Sequence, residues 1–171
     1  MRTLKQPGPA LEPRRLAVPA RAARELRVTL HEGEELHAGL IAALTAAGGR
    51  HAAIQLDGGG FARMDYLTGQ PDATGARLAT YGVPTHLAGP VTLVGANAIL
   101  GAREDGQPIL HCHAVVVDPA GGLHGGHLPP GACVAGAEGL SGWVTVLAEG
   151  GFAVAYDAET NYPIFQPARV A

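Results

Sequence analysis

Only the stretch from Glu34 to Ala47 spaces its apolar residues as an amphipathic helix requires, so the rest of any fold must be built mainly from strands. Leu36, Leu40, Leu44 and Ala47 recur at i, i+4, i+8 and i+11 and share one stripe. Glu34 and Glu35 suit the positive end of the helix dipole, and Gly48-Gly49 supplies a stop that tolerates positive φ. His37 falls one step off the stripe and reads as a partly exposed helical histidine.

Strand signals surround this helix. Leu26 to Leu30 alternates apolar and polar residues, and similar runs occupy His51 to Leu56, Phe61 to Leu67, Val91 to Leu100, Ile109 to Val117 and Phe152 to Tyr156. Ala132 to Leu147 reads as a further strand with a break near Ser141-Gly142. Residues 68–90 hold Gly69, Pro71, Gly75, Gly82, Pro84, Gly89 and Pro90 and read as loop or irregular edge. The expected class is α+β, a mainly antiparallel β-sheet with one principal helix, and not a doubly wound fold. Pro7, Pro9, Pro13 and Pro19 make residues 1–25 an extended arm, ordered only where it packs on something, ahead of a single domain at 26–171.

Composition removes several functions. With 47% hydrophobic and 16% charged residues the chain has the means to bury a core. No apolar run approaches the roughly 20 residues of a membrane span, and Met1 to Ala10 has no apolar h-region, so the expectation is a cytoplasmic protein without a membrane partner. Two cysteines, Cys112 and Cys133, suggest small buried side chains and no disulfide scaffold. Ser141 is the single serine and lacks a G-x-S-x-G elbow, and no Lys-Ser/Thr follows Gly58-Gly59-Gly60 to make a phosphate loop. The net charge of −3 divides into +5 for residues 1–27 and −8 beyond. Such an arm is an interface strap or a solvated face, or else a nucleic-acid contact through Arg14, Arg15, Arg21, Arg24 and Arg27.

The chemistry concentrates between residues 111 and 127, which hold four of the eight histidines. In Leu110-His111-Cys112-His113-Ala114-Val115-Val116-Val117 the β-branched run favours a strand, so His111 and His113 share a face and Cys112 takes the other. Asp118 to Gly122 is a turn, and the return through Leu123-His124-Gly125-Gly126-His127 brings His127 or His124 opposite the first pair. Two imidazoles at i and i+2 with a third from a neighbouring strand can hold Zn²⁺ and leave one position open. The spacing alone leaves two readings, a metal site or polar decoration of a half-exposed strand.

The stretch His111 to Val134, with H-x-H, a D/G turn and Gly125-Gly126-His127-Leu128, resembles the signature of the plants-and-prokaryotes-conserved (PPC) domain, a family labelled as DNA-binding. Leu30 to Leu36, Phe61 to Gly69 and Gly95 to Gly106 resemble its other conserved pieces, so the likeness spans roughly residues 26–160. It implies an α+β homotrimer in which His111, His113 and His127 meet, with zinc in some relatives. It also implies a distant fold kinship with acetolactate decarboxylase, whose zinc is held by a similar histidine pattern. Two departures stand out: the AT-hook core Arg-Gly-Arg is absent, and the family's T-A-E is Gly136-Ala137-Glu138 here.

Three functions follow. The first is a small-molecule binder or metal-dependent enzyme with zinc on His111, His113 and His127, His124 as fourth ligand or support, Glu138 (or, less so, Asp118) as acid/base and Arg103 as substrate clamp. The second is a DNA-associated regulator without an AT-hook, and the third a trimeric structural module.

Overall fold

The computed structural model describes residues 5–13 and 16–169, so Arg14 and Arg15 lie outside the described residues. Ten strands and one α-helix follow in the order β1 (Arg21–Leu30), α1 (Leu36–Ala46), β2 (Ala52–Tyr66), β3 (Gly69–Pro71), β4 (Ala79–Tyr81), β5 (Thr85–Ala102), β6 (Pro108–Val117), β7 (Leu123–Leu128), β8 (Val134–Glu149), β9 (Gly151–Asp157) and β10 (Tyr162–Ala168). The main sheet runs β1-β8-β2-β5-β6-β7, antiparallel at every one of these pairings. β9 meets β5 in parallel at Ala102 and Ala153 and pairs with β10. This is the α+β class expected from a chain with one helical stripe.

Strand periodicity divides the sheet into two faces. Ala52, Ile54 and Leu56 on β2, Ala96, Ala98 and Leu100 on β5, and Leu110, Cys112, Ala114 and Val116 on β6 are all buried, while the residues between them are not. Leu36, Leu40 and Leu44 of α1 are fully buried in this same core. Each such leucine contributes roughly 1.5–3 kcal/mol relative to exposure. Glu35 caps the helix, its carboxylate accepting from the Ala38 amide at 2.7 Å, and Gly48 stops it at φ +71°.

His37 is the correction on this element. It is 4% exposed, not a surface histidine, because the sheet's β7 end reaches over the helix and the Leu128 carbonyl lies 2.9 Å from His37 Nε2. Cys112 and Cys133 are both buried and free, as their number suggested.

Several stretches differ from the sequence expectation: Tyr162–Ala168 forms β10 although no strand was expected there, and the runs at 51–56 and 61–67 join into the one strand β2. β1 begins at Arg21, five residues into the expected arm, because β8 continues to Glu149 and offers it a partner. The Ser141-Gly142 position does not break β8; a Cβ at Gly142 would stand 2.1 Å from the Gln55 carbonyl, so glycine here permits close strand contact. Residues 68–90 supply the short β3–β4 pair and the start of β5. The described part of the arm packs on the turn between β9 and β10, with Gly8 N donating to the Glu159 carbonyl at 3.0 Å.

Candidate metal centre

β6 and β7 form a hairpin whose register decides the site. His113 is directly opposite His127, and Cys112 opposite Leu128. His111 and His113 therefore share the face of His127, while Cys112 and Leu128 share the core face. The turn fixes this register: the Asp118 carboxylate accepts from the Ala120 and Gly122 amides at 2.9 and 2.7 Å, and Gly121 takes φ +86°. On its other side β7 is held by Leu67, whose amide and carbonyl bond to the backbone of His127 at 2.8 and 2.9 Å. A Cβ at Gly126 would stand 2.4 Å from the Leu67 carbonyl, so that position requires glycine.

The three rings gather closely. His111 and His113 bring their Nε2 atoms to 3.0 Å, and one nitrogen from each of His111, His113 and His127 lies within 4.8 Å of the others. Ring centroids are 4.6 Å apart for His111 and His127 and 5.4 Å for His113 and His127. Two hairpins wall the cluster. Tyr81 of β4 stacks on His127 at 4.9 Å and 15°, and Phe165 of β10 tilts against His111 at 5.8 Å. The hairpins are joined, since Leu78 N donates to the Thr160 carbonyl and Asn161 Nδ2 to the Ala76 carbonyl. His113 is the exposed member, and beside it lies a depression of about 550 Å³ that includes Asn97, Val115 and Gly125.

Desolvation holds all three imidazoles below the ordinary histidine pKa. His127 is pushed down to about 4 by burial and then by the neighbouring His111 and His113. All three are therefore neutral at pH 7, the form that binds metal. His127 Nδ1 is buried and makes no hydrogen bond of good geometry, the Cys112 backbone giving this ring only a weak one, an arrangement that burial penalises unless something binds there. Imidazole nitrogens sharing an ion at about 2.0–2.1 Å stand about 3.3 Å apart, so the observed cluster reaches that spacing by small ring rotations. Three neutral imidazoles with one poorly satisfied nitrogen fit a zinc-like cation.

The sequence profile of the Plants and Prokaryotes Conserved (PCC) domain matches residues 18–138. The chain belongs to the PCC-domain family. Solved structures share the fold at low identity. A metal-containing protein, AF0104, from Archaeoglobus fulgidus is 18% identical with a TM-score of 0.68, covering 89% of this chain and 99% of its own. A plant- and prokaryote-conserved protein from Pyrococcus horikoshii is 15% identical with a TM-score of 0.67, covering 91% and 100%. A protein from Ralstonia eutropha named for a proposed DNA-binding role is 19% identical with a TM-score of 0.65, covering 82% and 89%. No curated protein shows a significant sequence match to this chain.

In this PCC-domain protein the other sequence-predicted residues lie apart from the cluster. His124 is three residues from His127 along a strand, which turns it to the opposite face, so it is not placed to be a fourth ligand. Its Nε2 meets Asp118 Oδ2 at 2.9 Å and its Nδ1 meets the Tyr66 hydroxyl at 3.1 Å. Asp118 is thus a turn and His124 partner, its carboxyl held below the usual range first by the His124 hydrogen bond. Glu138 is exposed on β8, which β2 and β5 separate from β6. Arg103 is exposed in the β5–β6 turn, where its backbone closes the loop by bonding to Gln107 and Gly106.

The three described arginines of the basic region all have internal partners. Arg21 pairs with Glu149 at 2.9 Å, Arg24 donates to the Ala47 carbonyl at the end of α1, and Arg27 bridges both Asp57 oxygens at 3.0 and 3.2 Å. Tyr81, Phe165 and His37 were missed by sequence reasoning. Tyr81 lies in a Gly/Pro-rich stretch with too few residues to show a period, and Phe165 lies in a strand that Pro163 and Pro167 disguise.

Proposed function

We propose that this PCC-domain protein holds one zinc ion on His111, His113 and His127 and binds a small ligand beside it. The observation that carries this reading is the convergence of three neutral imidazoles, one with a buried, poorly satisfied nitrogen. The metal-containing relative from Archaeoglobus fulgidus agrees with it. Zinc bound here would polarise a ligand carbonyl or acidify a water. The chain's own residues orient the imidazoles and exclude water from two sides through Tyr81 and Phe165.

Elemental analysis of untagged protein, purified without chelators or nickel, tests the reading. The expected result is one zinc per chain, lost in His127→Ala; protein without near-stoichiometric metal that also fails to take up zinc on titration overturns it.

A second reading, a DNA-associated regulator, is favoured by the Ralstonia relative's name. Arg21, Arg24 and Arg27 would have to exchange their internal partners for phosphates. Anisotropy titration at low salt decides: binding that falls steeply with salt supports it, and no binding excludes it. Assembly is proposed as a homotrimer. The exposed Val94, Val115 and Leu123, neighbours at one end of the β5-β6-β7 face, give a surface suited to burial between copies. Sedimentation equilibrium reads the stoichiometry directly.

A further inference from the structure

The main sheet ends in free edges on β7, β10 and β1, and they are not equally guarded. β7 is held from outside by Leu67 at His127, and β10 carries Pro163 and Pro167, which cannot donate to a new neighbour. β1 has neither device. From Arg24 to Leu30 it pairs residue by residue with β8, holds no proline, and has no strand on its other side among the described residues. Such an edge presents a row of unpaired N–H and C=O groups to another chain.

The helix beside this edge is also prepared for company. α1 runs back along β1: Gly39 stands against the Leu30 side chain, and the Ala47 carbonyl accepts from Arg24. Gly39, Ala42, Ala43 and Ala46 form the stripe on that side. No charged residue occurs from Leu36 to Ala47, so the exposed Ala38, Ala42, Thr45 and Ala46 lack the charges that a solvent-facing helix ordinarily displays. A neighbour can approach strand and helix together.

The charges on β1 name that neighbour. Directly paired residues share a face, and a one-residue slip turns every side chain over. Two copies of β1 in antiparallel pairing therefore keep a common core face only when the two-fold axis passes through a residue. An axis through Arg24, Glu25 or Arg27 sets that charge on its own copy, and one through Val28 brings no opposite charges together. The axis through Leu26 puts Glu25 opposite the partner's Arg27, Arg27 opposite the partner's Glu25, and Arg24 opposite the partner's Val28. Arg27 uses three N–H groups on Asp57 and Ser141, and the guanidinium has others to offer.

We propose that β1 is an isologous interface at which two copies of this chain pair edge to edge about Leu26, joining their sheets into one. Backbone hydrogen bonds and the partly buried Leu26 hold the contact, and the two ion pairs select its register. β1 is the edge opposite β7, so the contact leaves free the β5-β6-β7 face proposed above for the trimer. Alone it gives a dimer; combined with a three-fold contact it gives six copies in D3 symmetry.

Sedimentation equilibrium of the full-length protein over a concentration series is expected to give an even number of copies, and a monomer or a plain trimer overturns the proposal. Glu25→Arg and Arg27→Glu each set like charges opposite one another twice, and each is expected to weaken the pairing by about tenfold or more. Their equimolar mixture makes both pairs opposite in charge again and is expected to associate nearly as well as the parent. A mixture no better than either variant alone, with thermal unfolding showing both folded, overturns the register. Arg27→Glu stands beside Asp57, so a cross-link that does not depend on it is measured in parallel. Leu26→Cys is expected to give a disulfide-linked dimer on mild oxidation, the native Cys112 and Cys133 being buried. Thr29→Cys, whose two copies lie about 20 Å apart along the strands, is expected to give none. Absence of the Leu26→Cys cross-link, or equal cross-linking at both positions, overturns the proposal.

Discussion

Tyr81 lies flat on His127, the two rings 4.9 Å apart and 15° from parallel. The hydroxyl end of the tyrosine is not needed for this contact, but the ring is: it fixes the imidazole's plane and excludes water from one side. Groups that support metal ligands typically change affinity by 10–100-fold when removed. Tyr81→Ala is expected to weaken zinc binding about tenfold, whereas Tyr81→Phe stays close to the parent. Competition against a chromophoric chelator measures both.

Gly126 gives a sharper structural prediction. Its α-carbon passes so close to the Leu67 carbonyl that an added Cβ would stand 2.4 Å away, against backbone that cannot rotate aside. Gly126→Ala is expected to cost about 1–3 kcal/mol through forced displacement. Because the displaced residue adjoins His127, zinc stoichiometry falls with it. Thermal unfolding and metal analysis on the same sample check the pair of effects.

His124 separates the cluster from its surroundings. Both its ring nitrogens are engaged, with Asp118 and with Tyr66. His124→Gln is expected to leave zinc content unchanged and to lower stability by about 1 kcal/mol, the worth of a partly buried hydrogen bond. A loss of zinc in this variant would return His124 to the ligand set.

Acidity is expected to loosen the metal-free protein. Burial holds His37 below its ordinary value, and the unfolded chain titrates near pH 6.5. Above that pH both states are neutral and this group contributes no pH dependence. Below it the unfolded chain takes a proton that the folded chain resists, so stability falls. His51, His111, His113 and His127 shift in the same direction. Melting temperature should drop between pH 7 and pH 5, and His37→Gln, which keeps a donor toward the Leu128 carbonyl, should make the drop smaller.

The helix, the strand class and the H-x-H face were legible in the sequence because each is a local periodicity. Leu36, Leu40 and Leu44 fell on one stripe and are fully buried; His111 and His113 were two apart and share a face. The turn at Asp118 to Gly122 was legible for the same reason, and it puts His127 opposite His113. What could not be read depends on strands far apart in the chain. His37 is buried because Leu128 reaches it from 91 residues away. Tyr81 and Phe165 meet the histidines through hairpins docked on each other, which no single window of sequence contains. The basic count of the first 27 residues was correct, yet Arg21, Arg24 and Arg27 are matched by acceptors at Glu149, Ala47 and Asp57, none of them sequence neighbours.

The clasp of Leu67 on His127 has a consequence for how the chain matures. His111, His113 and His127 can meet once a short hairpin closes, but the hairpin's outer strand is held only when residue 67, sixty positions upstream, has found it. Forming that contact means closing a long loop, the slower kind of event in folding. An ion captured by all three imidazoles would therefore hold the hairpin in register while Leu67 is still finding it. Zinc present from the start of refolding is then expected to speed it, so that the cluster serves assembly as well as chemistry.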